Sequence, residues 1–334
     1  MTLDLPLIWA GLIAFAVLAY VVLDGFDLGI GILFPFIKDN TDRDTAINTV
    51  APVWDGNETW LVLGGGGLFA VFPLAYAVIM PAFYAPITAM LIGLVLRGVA
   101  FEFRFRTQNS QRLWDWAFSI GSTIAAISQG LMLGALVQGI KVQGRSYAGG
   151  WFDWLTPFSI LTAVAVVIGY SQLGATWLLF KTKGNLRQTA HDMAWTLTLA
   201  LLAAIAGVSL WTPFLNPQFM ARWFSFPTIL FVAPVPILTL FAGTRILMAL
   251  YRQHDLEPFL ATLALFVMCY VGLGVSLYPN IVPGAVSIWD AAAPDKSLSF
   301  LLVGAVVLIP LILVYTAHSY WVFRGKVDSS HGYH

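Results

Sequence analysis

Long apolar runs separated by short polar connections repeat along the whole chain. A helix that crosses a bilayer needs about 20 mostly apolar residues. The pattern predicts nine such spans, near 7–33, 49–73, 76–101, 115–139, 158–180, 193–212, 226–250, 259–278 and 298–323. No stretch between them is long enough for a soluble domain. Backbone groups in hydrocarbon must be satisfied within their own segment, so the fold class expected is an all-α integral membrane protein. The N-terminus has neither the basic start nor the small-residue cleavage site of a signal peptide, and the first run is expected to be a retained helix.

Basic residues orient this pattern. Lys38, Arg43, Arg104, Arg106, Arg112, Lys181, Lys183, Arg187, Arg245, Arg252, Arg324 and Lys326 fall on one side, against Lys141, Arg145, Arg222 and Lys296 on the other. Cytoplasmic loops carry the excess of Lys and Arg. The N-terminus is therefore expected outside and the C-terminus in the cytoplasm. A weak repeat also shows. Arg97 and Arg104 in the third span match Arg245 and Arg252 in the seventh, and "DLGIGILFPFIK" in the first matches "QLGATWLLFK" in the fifth. Two parallel four-helix repeats plus one C-terminal helix are expected. Residues 1–140 form the first repeat and 141–278 the second; 279–334 hold an outer loop, the ninth helix and a cytoplasmic tail.

Composition agrees. The chain is 59% hydrophobic and 10% charged, where soluble domains carry about 25% charged residues. Its mean hydropathy is +0.80. Lys+Arg and Asp+Glu are both 17. With no basic patch interleaved with aromatics, no nucleic-acid partner is expected. The one cysteine, Cys269, permits no internal disulfide and no thiolate metal site, and reads as a small buried hydrophobe.

Against this background the charges inside spans stand out. Asp24 and Asp27 lie about 25 and 30 Å along the first helix, close to its cytoplasmic end. The second span opens "VAPVWDGNETW", with Asp55 and Glu58 three residues apart on one face. Arg97 lies about two turns before the basic exit of the third span, and Glu102 lies between Arg97 and Arg104. A charge at the bilayer centre costs at least about 2.5–3.5 kcal/mol, so such groups pair or face water. Arg97 is expected near Asp27 or Asp55, with Asn57 completing the hydrogen bonds and Trp54 and Trp60 as walls. Two readings fit: an ion-paired lock that fixes three helices, or a hydrated proton entry.

Other motifs are plainer. "LVLGGGGLFA" (61–70) lacks the Lys and Ser/Thr of a phosphate loop and reads as close helix packing, as do Gly130 and Gly134. Gln129 reads as a buried polar contact. "PLAYAVIMPAFYAP" and "WFSFPTILF" read as interfacial belts. His191 and His254 fall at cytoplasmic helix ends, His331 and His334 in the tail, and His318 within the last span. No pair of histidines shares a depth, so no haem ligation by this chain alone is expected, and no metal site.

The segments "LDGFDLGIG" (23–31), "APVWDGNETWL" (51–61), "LRGVAFEFR" (96–104), "GALVQG" (134–139), "LFKTKG" (179–184), "YPNIVPG" (278–284), "IWDAAAP" (288–294) and "YWVFRGKV" (320–327) resemble, in order, subunit II of the cytochrome bd-type quinol oxidases. The short loops and length resemble the cyanide-insensitive branch. The resemblance implies a subunit without cofactors of its own, paired pseudo-symmetrically with a haem-bearing subunit I that carries two haems b, one haem d and the quinol site. The complex would oxidise ubiquinol, reduce dioxygen to water and reside in the bacterial inner membrane. The resemblance implies a cytoplasmic proton path through Asp27, Asp55 and Arg97, with Asp24 and Glu58 assigned less firmly. It leaves room for a small single-helix subunit and for a structural quinone or lipid. Two rival functions fit the residues alone: an ion-coupled secondary transporter, and a purely structural membrane subunit.

Overall fold

Asp4 and Pro6 set the start of the first helix, α1 (Leu5–Leu33). The Asp4 carboxylate accepts from the Leu7 amide at 3.1 Å, and proline suits a first turn. In the computed structural model, which describes residues 3–107 and 110–327, helices follow one another almost without interruption. A short helix, α2 (Asn40–Asn48), is capped by Asp39, which accepts from the amides of Thr41 and Asp42 at 2.8 and 3.2 Å. These two bonds hold the Asp39 carboxyl below its usual range. Then come α3 (Trp54–Val71), α4 (Pro73–Ala82), α5 (Tyr84–Phe103), α6 (Gln111–Gln138), α7 (Pro157–Lys181) and α8 (Gly184–Trp211). The short α9 (Pro217–Phe224) and α10 (Ile229–Val232) lead to α11 (Pro234–Tyr251), α12 (Glu257–Leu277), the single turn α13 (Ile288–Ala291) and α14 (Asp295–Val322). Two antiparallel hairpins, Val142–Gln143 with Ser146–Tyr147 and Asn280–Val282 with Val286–Ser287, close loops between helices.

Eight of the nine expected spans are helices long and apolar enough to cross a membrane. The ninth, expected at 49–73, is α3. It begins only at Trp54, and its opening "WDGNET" keeps its average below that of the others. Two expected spans are broken. Residues 73–103 divide at Phe83 into α4 and α5, and residues 229–251 divide at Ala233 ahead of Pro234. Proline removes a backbone donor and resists the helix interior, which accounts for the second break.

Small residues set the closest crossings. A Cβ on Gly29 of α1 would lie 1.8 Å from the Tyr170 carbonyl oxygen of α7, and one on Gly174 would lie 2.5 Å from the Gly29 carbonyl carbon. Gly130 and Gly134 of α6 press against Ala163 and Ser159 of α7, as packing required. The glycine run of α3 packs only in part. Gly64 and Gly67 face Val17 and Ile13 of α1, while Gly65 and Gly66 meet nothing within 4 Å.

Candidate functional site: a buried charge cluster at the ends of α1, α3 and α5

α1 presents Asp24 and Asp27 on adjacent parts of one face, both 0% exposed. Helix α5 brings in Arg97, also 0% exposed. Its guanidinium is held between two helices: Nη1 lies 2.7 Å from Asp24 Oδ1, and Nη2 pairs with Glu58 Oε1 of α3. Glu58 keeps 24% of its side-chain surface exposed, so the ion triad runs from the rim to the interior.

Asp27 has a different partner. Asn57 Nδ2 donates to Asp27 Oδ2 at 2.7 Å and to the Leu23 carbonyl at 3.3 Å. Tyr320 of α14 in turn donates to Asn57 Oδ1 at 2.9 Å. Asp27 Oδ1 makes no hydrogen bond among the described residues. On the far side of Asp24, Gln129 of α6 bonds both Tyr20 of α1 and Tyr170 of α7, the buried contact expected of it. Trp54 stacks on Phe101 with centroids 4.8 Å apart and lies over Gly98, next to Arg97. Trp60 is buried beside Tyr20.

Two expectations change. Arg97 pairs with Asp24 and Glu58, not with Asp27 or Asp55. Asp55 is exposed in the first turn of α3, where free amides and the helix dipole suit a carboxylate without any cation. Glu102 also stands apart: it is exposed and pairs with Arg106 at 3.3 Å. Tyr20, Tyr170 and Tyr320 are not foreseen from spacing, because they come from three different helices.

Three carboxyls face one guanidinium here. Like charges in one site disfavour full ionisation of all of them, so the cluster has the means to gain and lose a proton. A second cluster sets two arginines against two carboxylates and is a fastening. Arg104 reaches Asp115 at 2.6 Å and Asp44 at 2.5 Å, Arg43 reaches Asp115 at 3.2 Å, and the two guanidiniums lie 5.5 and 5.7 Å from the centroid of the Phe34 ring.

The profile of the family described as cytochrome bd terminal oxidase subunit II matches residues 5–323. The chain belongs to that family. Among curated relatives, cytochrome bd-I ubiquinol oxidase subunit 2 of Escherichia coli is 29% identical, covering 97% of this chain and 95% of that one. The probable cytochrome oxidase subunit 2 of Haemophilus influenzae is 30% identical over 98% and 96% of the two chains. The cytochrome bd ubiquinol oxidase subunit 2 of Bacillus subtilis is 28% identical over 96% of each. A chain in the structure of bd oxidase from Geobacillus thermodenitrificans has the same fold, with a TM-score of 0.76 at 16% identity, over 96% of this chain and 99% of that one. This subunit II is thus a multi-pass bacterial inner-membrane protein of a terminal oxidase, an oxidoreductase.

Three histidines of this subunit II lie among the described residues. His191 is engaged by the Leu250 carbonyl and Gln253 at 3.1 and 3.0 Å, His254 sits 2.5 Å from Glu257, and His318 is exposed on α14 beside Trp321. His331 and His334 lie outside the described residues. Among the described residues no group of three His, Cys, Asp or Glu could hold a metal ion.

Proposed function

We propose that this chain is the haem-free subunit of a quinol oxidase that reduces dioxygen to water, and that it admits protons from the cytoplasm to a haem-bearing subunit I. The observation that carries the proposal is the gradient of exposure across one connected group. Asp55 is exposed, Glu58 is partly exposed, and Asp24 and Asp27 are sealed, with Arg97 linking Glu58 to Asp24. A fixed lock needs only a matched pair; a surplus of carboxyls on a path from the surface inward suits proton transfer.

The N-terminus is outside, the C-terminus is cytoplasmic, and α3 is the ninth span. Two four-helix repeats meet at the reciprocal contact of Gly29 and Gly174, and α14 is the added helix. The partner supplies two haems b, one haem d and the ubiquinol site. A small single-helix subunit and a structural quinone or lipid have room on the uncovered faces. A secondary transporter is disfavoured, because the breaks at Phe72 and Phe83 lie at the helix ends remote from the acids.

Glu58→Gln and Asp24→Asn in the assembled oxidase should each slow quinol-driven oxygen uptake by about tenfold or more, with the haem spectrum retained. Asp55→Asn, at the mouth, should slow it least. Unchanged uptake in both Glu58→Gln and Asp24→Asn at saturating quinol would remove the proton route.

A further inference from the structure

Tyr20, Gln129 and Tyr170 form a hydrogen-bonded row across α1, α6 and α7 that the proton route above does not use. Tyr170 Oη donates to Gln129 Oε1 at 2.6 Å, and Gln129 Nε2 donates to Tyr20 Oη at 2.9 Å. The tyrosines are buried, at 4% exposure for Tyr20 and 2% for Tyr170. Tyr20 stands one turn from Asp24 on the same face of α1, and apart from the ion pair with Arg97 the buried Asp24 carboxylate meets no hydrogen-bond donor among the described residues.

The row has a direction. An amide oxygen only accepts, and an amide nitrogen only donates. Tyr170 satisfies the Gln129 oxygen, so the amide turns its N–H toward Tyr20. Tyr20 receives that hydrogen on its oxygen and keeps its own proton for another acceptor. The acceptor beside it is Asp24. We propose that Tyr170 and Gln129 orient Tyr20 as a donor to Asp24, which makes Tyr20 a positioning residue for the buried end of the proton route. This rests on the proton-route reading of the same cluster.

Asp24 is faced by Asp27 from its own helix, Glu58 from α3, Arg97 from α5, Tyr170 from α7 and Tyr320 from α14, while α6 contributes the neutral Gln129. The row predicts a coupling that direct contacts alone do not. In Tyr170→Phe the Gln129 oxygen loses its donor. The amide is then free to turn over, and Tyr20 gives its proton to Gln129 instead of Asp24. Tyr170→Phe should therefore reproduce Tyr20→Phe.

The test measures oxygen uptake per haem, driven by quinol, across the pH range of activity of the whole oxidase. Tyr20→Phe, Tyr170→Phe and the double variant should each displace the pH dependence by about one unit toward alkaline pH, because a carboxylate has lost a donor. The double variant should shift no further than either single. A purely structural row would lower the amount of assembled oxidase and leave the profile in place. That result overturns the proposal, as does a shift in Tyr20→Phe alone. Gln129→Met breaks both bonds at similar volume and gives the same reading if a tyrosine variant does not assemble. Glu58→Gln runs in parallel. If it slows uptake while the tyrosine variants keep the parental profile, only the positioning role fails; if neither it nor Asp24→Asn changes uptake, the route and the positioning role fall together.

Discussion

A single arginine decides how the cluster is held. Arg97 is fully buried and neutralises carboxylates from two helices, and breaking a buried pair by removing one partner costs about 3–5 kcal/mol. Arg97→Met strips the paired cation from Asp24 and Glu58 at once and should lower the melting temperature of the oxidase sharply. Glu58→Gln should lower it far less, because Glu58 is partly exposed and Asp24 still pairs with the arginine. Asn57→Leu is the sharper probe of the other branch. It removes the donor to Asp27 and the acceptor of Tyr320, so a buried carboxyl loses its neutral partner at a cost of about 1–3 kcal/mol. Thermal unfolding followed by tryptophan fluorescence ranks the three. Sequence spacing placed Asp24, Asp27, Glu58 and Arg97 at one depth, which is a matter of rise per residue. It could not choose which acids meet the arginine, because that depends on helix azimuth. Nor could it bring in Tyr320, which reaches Asn57 from a helix near the other end of the chain.

At the scale of helices, crossings are the sensitive features. The α1–α7 contact leaves no space for a methyl group at Gly29 or Gly174, while Gly11 on the same α1 meets nothing within 4 Å. Overpacking a tight contact costs about 1–3 kcal/mol, and alanine favours an open helical position over glycine by about 1 kcal/mol. Gly29→Ala and Gly174→Ala should each destabilise the oxidase, and Gly11→Ala should be neutral or stabilising, again read from melting curves. Eight helices were legible because their apolar length is itself the signal. α3 fell short of that standard for the same reason that it matters: its first turns carry the polar residues of the site. The division at Phe83 left no trace in hydropathy, since both sides of it are equally apolar.

Across the whole molecule, the end that carries Lys181 and Asp255 is drawn together by the last residues described. Lys181 Nζ donates to the Gly325 carbonyl at 2.7 Å, the Val327 amide donates to the Lys181 carbonyl at 2.8 Å, and Lys326 reaches Asp255 at 2.5 Å, where Arg187 also binds at 2.7 Å. Burial tends to raise the Asp255 carboxyl, but the bonds from Lys326 and Arg187 outweigh it and hold it below the usual range. A depressed carboxyl stabilises the folded state above its unfolded value of about 3.9, and that contribution fades as pH falls through the folded value. The fastening is therefore complete at neutral pH and lost only in acid. Asp255→Asn should expose Lys326 to trypsin at neutral pH while leaving oxygen uptake intact. Exposed pairs of this kind are worth only about 0–1 kcal/mol each, so the melting temperature should barely move.

In the proposed arrangement of two repeats, the halves differ in the one respect that the proposed route requires. Asp27 of the "DLG" segment bonds Asn57, and Gln172 of the matching "QLG" segment bonds Thr198 at 2.9 Å, so a neutral pair stands in the second half where the first carries an acid. Gln172 Oε1 makes no hydrogen bond among the described residues, and Thr198 keeps its bond to the Ala194 carbonyl at 2.6 Å if Gln172 is removed. Gln172→Leu, of similar volume, therefore deletes an unsatisfied buried oxygen and strands no partner, which is close to neutral for stability. Oxygen uptake and its pH dependence should remain those of the parent, whereas Asp27→Leu should impair uptake. Equal losses in the two variants would mean that both halves move protons. A loss confined to Asp27→Leu fits a pseudo-symmetric scaffold in which only the half bearing the acids conducts.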